Sequence, residues 1–358
     1  MAGCLSVGGI VYNYLMRPSF FHHLHPPSIP ANQARFRYTL GAGGLAVFLV
    51  LVLGVTGILE VFYYIPTPGE AASSIQTLAF LVPFGALVRN LHFWAAQFLV
   101  IVSAVHLLRV VFTGAYLQPR RFNYLLGLGL FVVAVLLDFT GYVLRWDEGI
   151  HWALVTGTNL IKSIPLFGTA LYASLVGGTQ PGPATLIRFY GWHIFGLMVA
   201  AVILLAWHIF RVRRDGGIAV PPPHLRATQA RVSRFELVRR EVAAMLFATV
   251  ALLGLSIFAP APLAPSITAG SSLPETTRAP WFFLWVQEML KLGSPFLWGV
   301  VVPLAVLTTL ALIPYIFPKP VLSEIGRWFP KSNRLAQVFF LLIVLSILIL
   351  TALALLPV

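Results

Sequence analysis

A single cysteine, Cys4, is all the thiol that this chain of 358 residues carries. That excludes an intrachain disulfide or a thiolate-held cluster, and the lack of any Cys-x-x-Cys-His run excludes a covalently attached c-type haem. Cys4 itself reads as an inert thiol near the N-terminus. Charge is also scarce: Asp, Glu, Lys and Arg make up 10% of the residues, and only 11 are acidic. A soluble domain has far more charge to show water. No long apolar core precedes a small-residue site at the N-terminus, so no cleavable signal peptide is expected and the first span is the insertion signal.

What is present is apolar. Hydrophobic residues make up 58% of the chain and the mean hydropathy is +0.87. Seven runs are long enough to cross a bilayer, near Leu40–Ile65, Leu81–Phe112, Phe122–Leu144, Ala184–Arg211, Glu241–Phe258, Pro295–Phe317 and Leu335–Leu356. The expected class is an all-α polytopic membrane protein of about seven transmembrane helices. A net charge of +13 invites a nucleic-acid reading, but its distribution argues against one. With the N-terminus cytoplasmic and the C-terminus on the outer side, all but six of the 24 Lys and Arg fall on the cytoplasmic side. The exceptions are Arg89, Arg145, Lys162, Arg188, Arg278 and Lys291. The basic excess therefore reports topology in a cytoplasmic-type membrane, with anionic lipid as a secondary partner.

Four histidines stand inside this oil as two pairs: His92 and His106 in the second span, His193 and His208 in the fourth. An ionisable group at membrane depth is costly and marks a functional site by default, although a histidine bonded to a neighbouring hydroxyl can also be plain helix packing. Spacings of 14 and 15 residues separate the members of each pair by about 21 and 22 Å along a helix. At about 100° per residue each pair lies in one broad sector. Two such helices could hold two haems, one above the other, each iron clamped by one histidine from each span. Gly43 and Gly57 in the first span and Gly127 and Gly141 in the third repeat at 14 residues, the histidine repeat, and leave grooves for two flat rings. Arg89 and Arg188 lie just before the outer histidines, and Arg109 and Arg211 just after the inner ones. Such arginines suit propionate recognition as well as interfacial snorkelling.

The remaining stretches organise the chain. His22, His23 and His25 lack Cys or acidic companions and precede prolines, so the N-terminal segment reads as irregular and interfacial rather than metal-binding. The stretch after the third span carries short apolar runs broken by Gly and Pro and should form surface helices on the outer side. The proline-rich basic loop after the fourth span divides the chain into 1–217, a four-helix part, and 218–358, a three-helix part. The long outer loop before the sixth span carries APWFFLWV and is a candidate pocket wall.

The two histidine spacings, with TGYVLRWDEG, SIPLFG and TLIRFYGWH, resemble the cytochrome b subunit of the quinol–cytochrome c reductase family in its b6 subtype, and the second part resembles that family's subunit IV, fused here. The resemblance implies two bis-His haem b groups, His92 with His193 nearer the outer side and His106 with His208 nearer the inner. It also implies proton translocation in a respiratory chain. Quinol would be oxidised at an outer site between the loop after span three and APWFF, and quinone bound at an inner site with Arg213 and Asp215 as candidates. A Rieske iron–sulfur protein and a c-type cytochrome are the implied partners, in a homodimer. Two departures stand out. The family's Pro-Glu-Trp-Tyr glutamate is replaced: the chain reads Ala279-Pro280-Trp281-Phe282, and proline cannot act as a general base. Among Asp138, Glu60, Asp147 and Glu288, Asp138 near the outer end of an apolar span is the expected substitute, and loss of the glutamate points to menaquinol. The subtype's cysteine at the start of the first span is also missing from RYTLGAGG, so no covalent haem is expected. Two other readings stay open: a dihaem quinone-linked anchor of a non-Rieske complex, and, more remotely, a transporter.

Overall fold

The computed structural model describes residues 26–222, 230–267 and 278–356. Cys4, His22, His23 and His25 lie outside the described residues, as does part of the proline-rich loop. Among the described residues seven helices are long and apolar enough to cross a membrane. They are α1 (Ala42–Val61), α3 (Gly85–Phe112), α4 (Arg121–Leu144), α7 (Pro183–Arg214), α8 (Arg234–Phe258), α10 (Leu297–Ile316) and α11 (Lys331–Leu355). Between them lie the shorter α2 (Ala71–Phe80), α5 (Glu148–Lys162), α6 (Gly168–Val176) and α9 (Leu284–Leu290). All seven expected spans are present, and the protein is integral to the membrane. In oil each backbone amide must find its partner within the segment, which leaves helices as the form these apolar runs can take.

Three differences from the sequence reading have physical causes. The fifth span begins at Arg234, seven residues before Glu241, because Ser233 caps it by accepting from the Phe235 amide at 3.3 Å and Glu236 pairs with Arg239 at 3.0 Å. Those charges belong to the first turns of a helix rather than to a loop. The helix α2 was not anticipated; its Ser74 hydroxyl accepts from the Ile65 amide at 3.2 Å and fastens it to the chain leaving α1. The segment before the first span is also less irregular than expected. Its strand β1 (Ser28–Pro30) pairs antiparallel with β2 (Arg231–Ser233), tying that segment to the start of α8.

Three apolar clusters hold the helices together. Leu49, Ala95, Leu99, Ala134 and Leu252 join α1, α3, α4 and α8. Val111, Tyr124, Ile313 and Phe340 bring α10 and α11 against the inner ends of α3 and α4. At the end of the bundle that the topology reading calls outer, Val143, Ile150, Leu154 and Leu186 seat α5 under a cap that also holds α6, so the expected surface helices are present. Inside the membrane the exposed C-terminal carbonyls of α8 need donors. The first half of α3 supplies them, there and just beyond: Asn90 Nδ2 donates to Ser256 O at 2.8 Å and Trp94 Nε1 to Ala259 O at 2.7 Å, while Arg89 donates to Ala261 O at 3.0 Å and Pro262 O at 2.6 Å in the chain that leaves the helix. The APWFF stretch is folded as a tight turn, Trp281–Phe283, leading into α9, with Phe282 and Leu284 buried.

At the opposite end Asn333, 1% exposed, donates to Val111 O at 2.8 Å and accepts from Tyr116 OH at 2.6 Å. Replacing it with leucine strands the Tyr116 hydroxyl, at a cost of about 1–3 kcal/mol, and leaves Val111 O with the Gly114 amide alone. Asn333→Leu should therefore lower the thermal midpoint of the detergent-purified protein well outside error, and an unchanged midpoint would show that this tie is not a stabilising one.

Candidate functional site

The four histidines line one cavity of about 1040 Å3 walled by α1, α3, α4 and α7, with part of α8. Each faces one of the predicted glycines. A Cβ on Gly57 would lie 3.0 Å from His92 Cε1, on Gly141 3.0 Å from His193, on Gly127 3.1 Å from His208 and on Gly43 3.4 Å from His106. The absent side chains are thus the room in which the imidazoles stand.

Hydrogen bonds set the tautomers. Thr56 Oγ1 donates to Val52 O at 2.8 Å, and Thr140 Oγ1 to Leu136 O at 2.8 Å. With its only hydrogen so placed, each hydroxyl can only accept from the imidazole Nδ1 2.9 Å away, on His92 and His193 respectively. His208 Nδ1 donates to Asn123 O at 3.2 Å. In all three the remaining Nε2 is unprotonated and available to a metal, which is the arrangement that orients a ligating histidine. His106 Nδ1 is buried without a hydrogen-bond partner among the described residues.

The rings of His92 and His193 have centroids 6.4 Å apart. Two imidazoles bonded at about 2 Å to one metal between them have centroids roughly 6–6.5 Å apart, so the outer pair already has that separation. Among the described residues no three His, Cys, Asp or Glu converge. Two facing imidazoles without a third donor among the described residues would suit an ion that brings its own planar ligand, as haem does.

The unequal spacings have a structural explanation. Residues Trp192–Gly196 form a π-helical turn at His193, within α7. Such a turn takes up one extra residue, so 15 residues in α7 can cover about the same rise as 14 in α3.

Of the predicted arginines, Arg89 and Arg109 line the cavity. Arg109 is buried over the Tyr38 ring at 4.3 Å, donates through Nε to Tyr38 O, and keeps Nη2 unpartnered among the described residues. Arg188 and Arg211 do not reach it. Arg188 is exposed against Gly177, and Arg211 is held by Asp215 at 3.5 Å and lies over Phe122. Arg145 and Arg213 line the cavity as well.

The acidic candidates separate in the same way. Asp138 lines the cavity, accepts from Gln97 Nε2 at 3.0 Å, and has a buried Oδ2 without a partner among the described residues. Glu60 lines the same cavity with a similarly buried Oε1. Asp147 is occupied in the fold: it pairs with Arg145 at 2.6 Å and caps α5. Glu288 pairs with Lys291 at 2.7 Å, and Asp215 with Arg214 at 3.0 Å; neither lines the cavity. At the inner end the carboxyl that joins Arg213 along the cavity wall is Glu241, whose carboxylate carbon would lie 3.2 Å from a Cβ on Gly44. Tyr64 donates to Leu144 O at 2.8 Å, and burial pushes its phenol above the ordinary range, keeping it a donor. Sequence reasoning missed Glu241, Gln97, Thr56 and Thr140. For the threonines a signal was there, since Thr-Gly occurs at both outer glycines.

Residues 97–267 match the family model described as "Cytochrome b(N-terminal)/b6/petB". The chain is 35% identical over 192 residues to cytochrome b6 of Heliomicrobium gestii, covering 54% of this chain and 88% of that protein. It is 37% identical over 175 residues to the menaquinol:cytochrome c reductase cytochrome b subunit of Geobacillus thermodenitrificans, covering 49% and 78% respectively. Its fold is similar to a chain of a "Hyperthermophilic respiratory Complex III", with a TM-score of 0.76, 22% identity and coverage of 89% of this chain and 84% of that one. With seven spans, paired histidines and these relatives, the chain belongs to the cytochrome b/b6 family.

Proposed function

We propose that this haem b-binding membrane protein carries two haems, oxidises quinol at an outer site and returns electrons to quinone at an inner one. The observation that carries the reading is the set of four histidines, each standing in the gap left by one glycine around a single cavity. His92 and His193 would hold the outer haem; His106 and His208 would hold the inner one, with Arg109 Nη2 free for a propionate. When bound, the haems supply one-electron chemistry across the bilayer. The chain's own residues do the rest: Thr56, Thr140 and the Asn123 carbonyl fix ligand tautomers, and Asp138 Oδ2 receives a quinol proton in place of the glutamate that Pro280 has displaced. Arg213 with Glu241 binds and protonates quinone at the inner end. Residues 1–217 carry the haems, and 218–358 wall both quinone sites. Menaquinol is the donor favoured by the menaquinol-named relative and the lost glutamate. A Rieske protein and a c-type cytochrome take the outgoing electrons, in a dimer with the N-terminus cytoplasmic.

Three outcomes test this. Gly141→Val should halve the b-type absorbance per chain in a reduced-minus-oxidised spectrum, by pushing on His193; full absorbance would remove the glycine-groove argument. Thr140→Val should loosen the outer haem by about 10- to 100-fold in a haem-transfer titration, the usual cost of losing a ligand's hydrogen-bond partner. Asp138→Asn should slow menaquinol:cytochrome c turnover of the isolated complex by about 100-fold or more; unchanged turnover and pH profile would reject Asp138 as proton acceptor.

A further inference from the structure

A chain of hydrogen bonds links the segment that lost its glutamate to the carboxyl proposed to replace it. Trp281 Nε1 donates to Gln97 Oε1 at 2.6 Å, and Gln97 Nε2 donates to Asp138 Oδ1 at 3.0 Å. The three residues come from the Pro280-Trp281-Phe282 turn, the middle of α3 and the outer third of α4, so they are far apart in sequence. Gln97 and Asp138 are buried.

The direction of each bond is determined by chemistry. An indole N–H can donate and cannot accept. Its partner on Gln97 must therefore be the amide oxygen, which turns the amide NH2 toward Asp138. That NH2 can only donate, so Oδ1 is held as an acceptor and is a poor place for a proton. Oδ2 has no partner among the described residues and belongs to a residue lining the cavity. We infer that Trp281 and Gln97 are positioning residues that direct the quinol proton to Oδ2 of Asp138 and keep the carboxylate ready to take it. This rests on the reading of Asp138 as the acceptor. The step is a proton transfer: the O–H bond of a quinol hydroxyl breaks as an O–H bond forms at Oδ2, and the electrons leave in the oxidation proposed above.

The inference gives Trp281 a role its ring alone does not have. A phenylalanine would keep the aromatic wall beside Phe282, whose ring lies 5.7 Å from that of Trp281. It would also free the Gln97 amide to turn over. With its oxygen toward Asp138, the amide would favour the protonated carboxyl. The titratable and charged groups that share the outer end of the cavity are Glu60 on α1, Tyr64 just after it, Arg89 and His92 on α3, Tyr142 and Arg145 on α4, and His193 on α7. None of them bonds Gln97, so changes at Trp281 reach Asp138 through the amide.

The test uses the isolated complex, with menaquinol as donor and haem content as the control for folding. Trp281→Phe and Gln97→Leu should each move the acid limb of the turnover–pH profile upward by about 1 pH unit, the equivalent of one hydrogen bond to a carboxylate. In the Gln97→Leu background Trp281→Phe should add no further shift. Reduced-minus-oxidised infrared difference spectra supply a second readout: a protonated-carboxyl band missing in Asp138→Asn should shift in Trp281→Phe. If Asp138→Asn leaves turnover and its profile intact, the reading of Asp138 itself fails. If Asp138→Asn slows turnover while Trp281→Phe and Gln97→Leu leave limb and band in place, or if their shifts add, only the positioning role is overturned. Should Trp281→Phe lose its haem, Gln97→Leu alone decides by the same limb and band.

Discussion

A polar atom placed in hydrocarbon must find a partner inside the protein, and much of this molecule follows from where those partners are. Thr56 and Thr140 each give their hydrogen to a carbonyl one turn back and offer a lone pair to a histidine, so one hydroxyl satisfies two needs. Asn90 and Trp94 cover the open end of α8, and Arg89 the chain that leaves it. Several polar atoms left without partners among the described residues belong to residues lining the cavity: Glu60 Oε1, His106 Nδ1, Arg109 Nη2 and Asp138 Oδ2. Leaving such atoms unpaired costs about 1–3 kcal/mol each. That cost is tolerable where a cofactor or substrate supplies the missing partner.

The spans, the histidine pairs and the glycine repeat were legible in the sequence because each has a period that survives folding. A transmembrane helix is set by length and hydropathy, and a residue 14 positions on returns to nearly the same face. The arginines show where such reasoning stops. Arg188 precedes His193 by five residues, about 140° around the helix, and so it lies on the exposed face rather than in the cavity. Asp215 and Asp147 read as free acids in the sequence, but each had an arginine within reach and was paired in the fold. Glu241 was hidden because it had been placed at the start of a span, where the helix had in fact been running for two turns. The pairing of β1 with β2 joins residues about 200 apart and carries no local signal.

The two parts of the chain are also bound more closely than a loop boundary suggests. Helix α8 packs on α1 and α3, α11 on α3, and the outer loop that follows α8 is bonded back to α3 and to the start of α5 through Glu148 N and Pro265 O at 3.0 Å. That end of the bundle is therefore built from both parts, and a change on either side is felt by the other.

The wide turn at Trp192–Gly196 has a consequence for how such chains vary in length. One added residue in a straight helix would rotate everything beyond it by about 100° and send one histidine toward lipid. Taken up in a single turn beside His193, the extra residue leaves both ends of α7 in phase with their neighbours. The helix thus has a place where its count can change while the positions of its histidines do not, and two proteins with different histidine spacings can keep those side chains at the same depths.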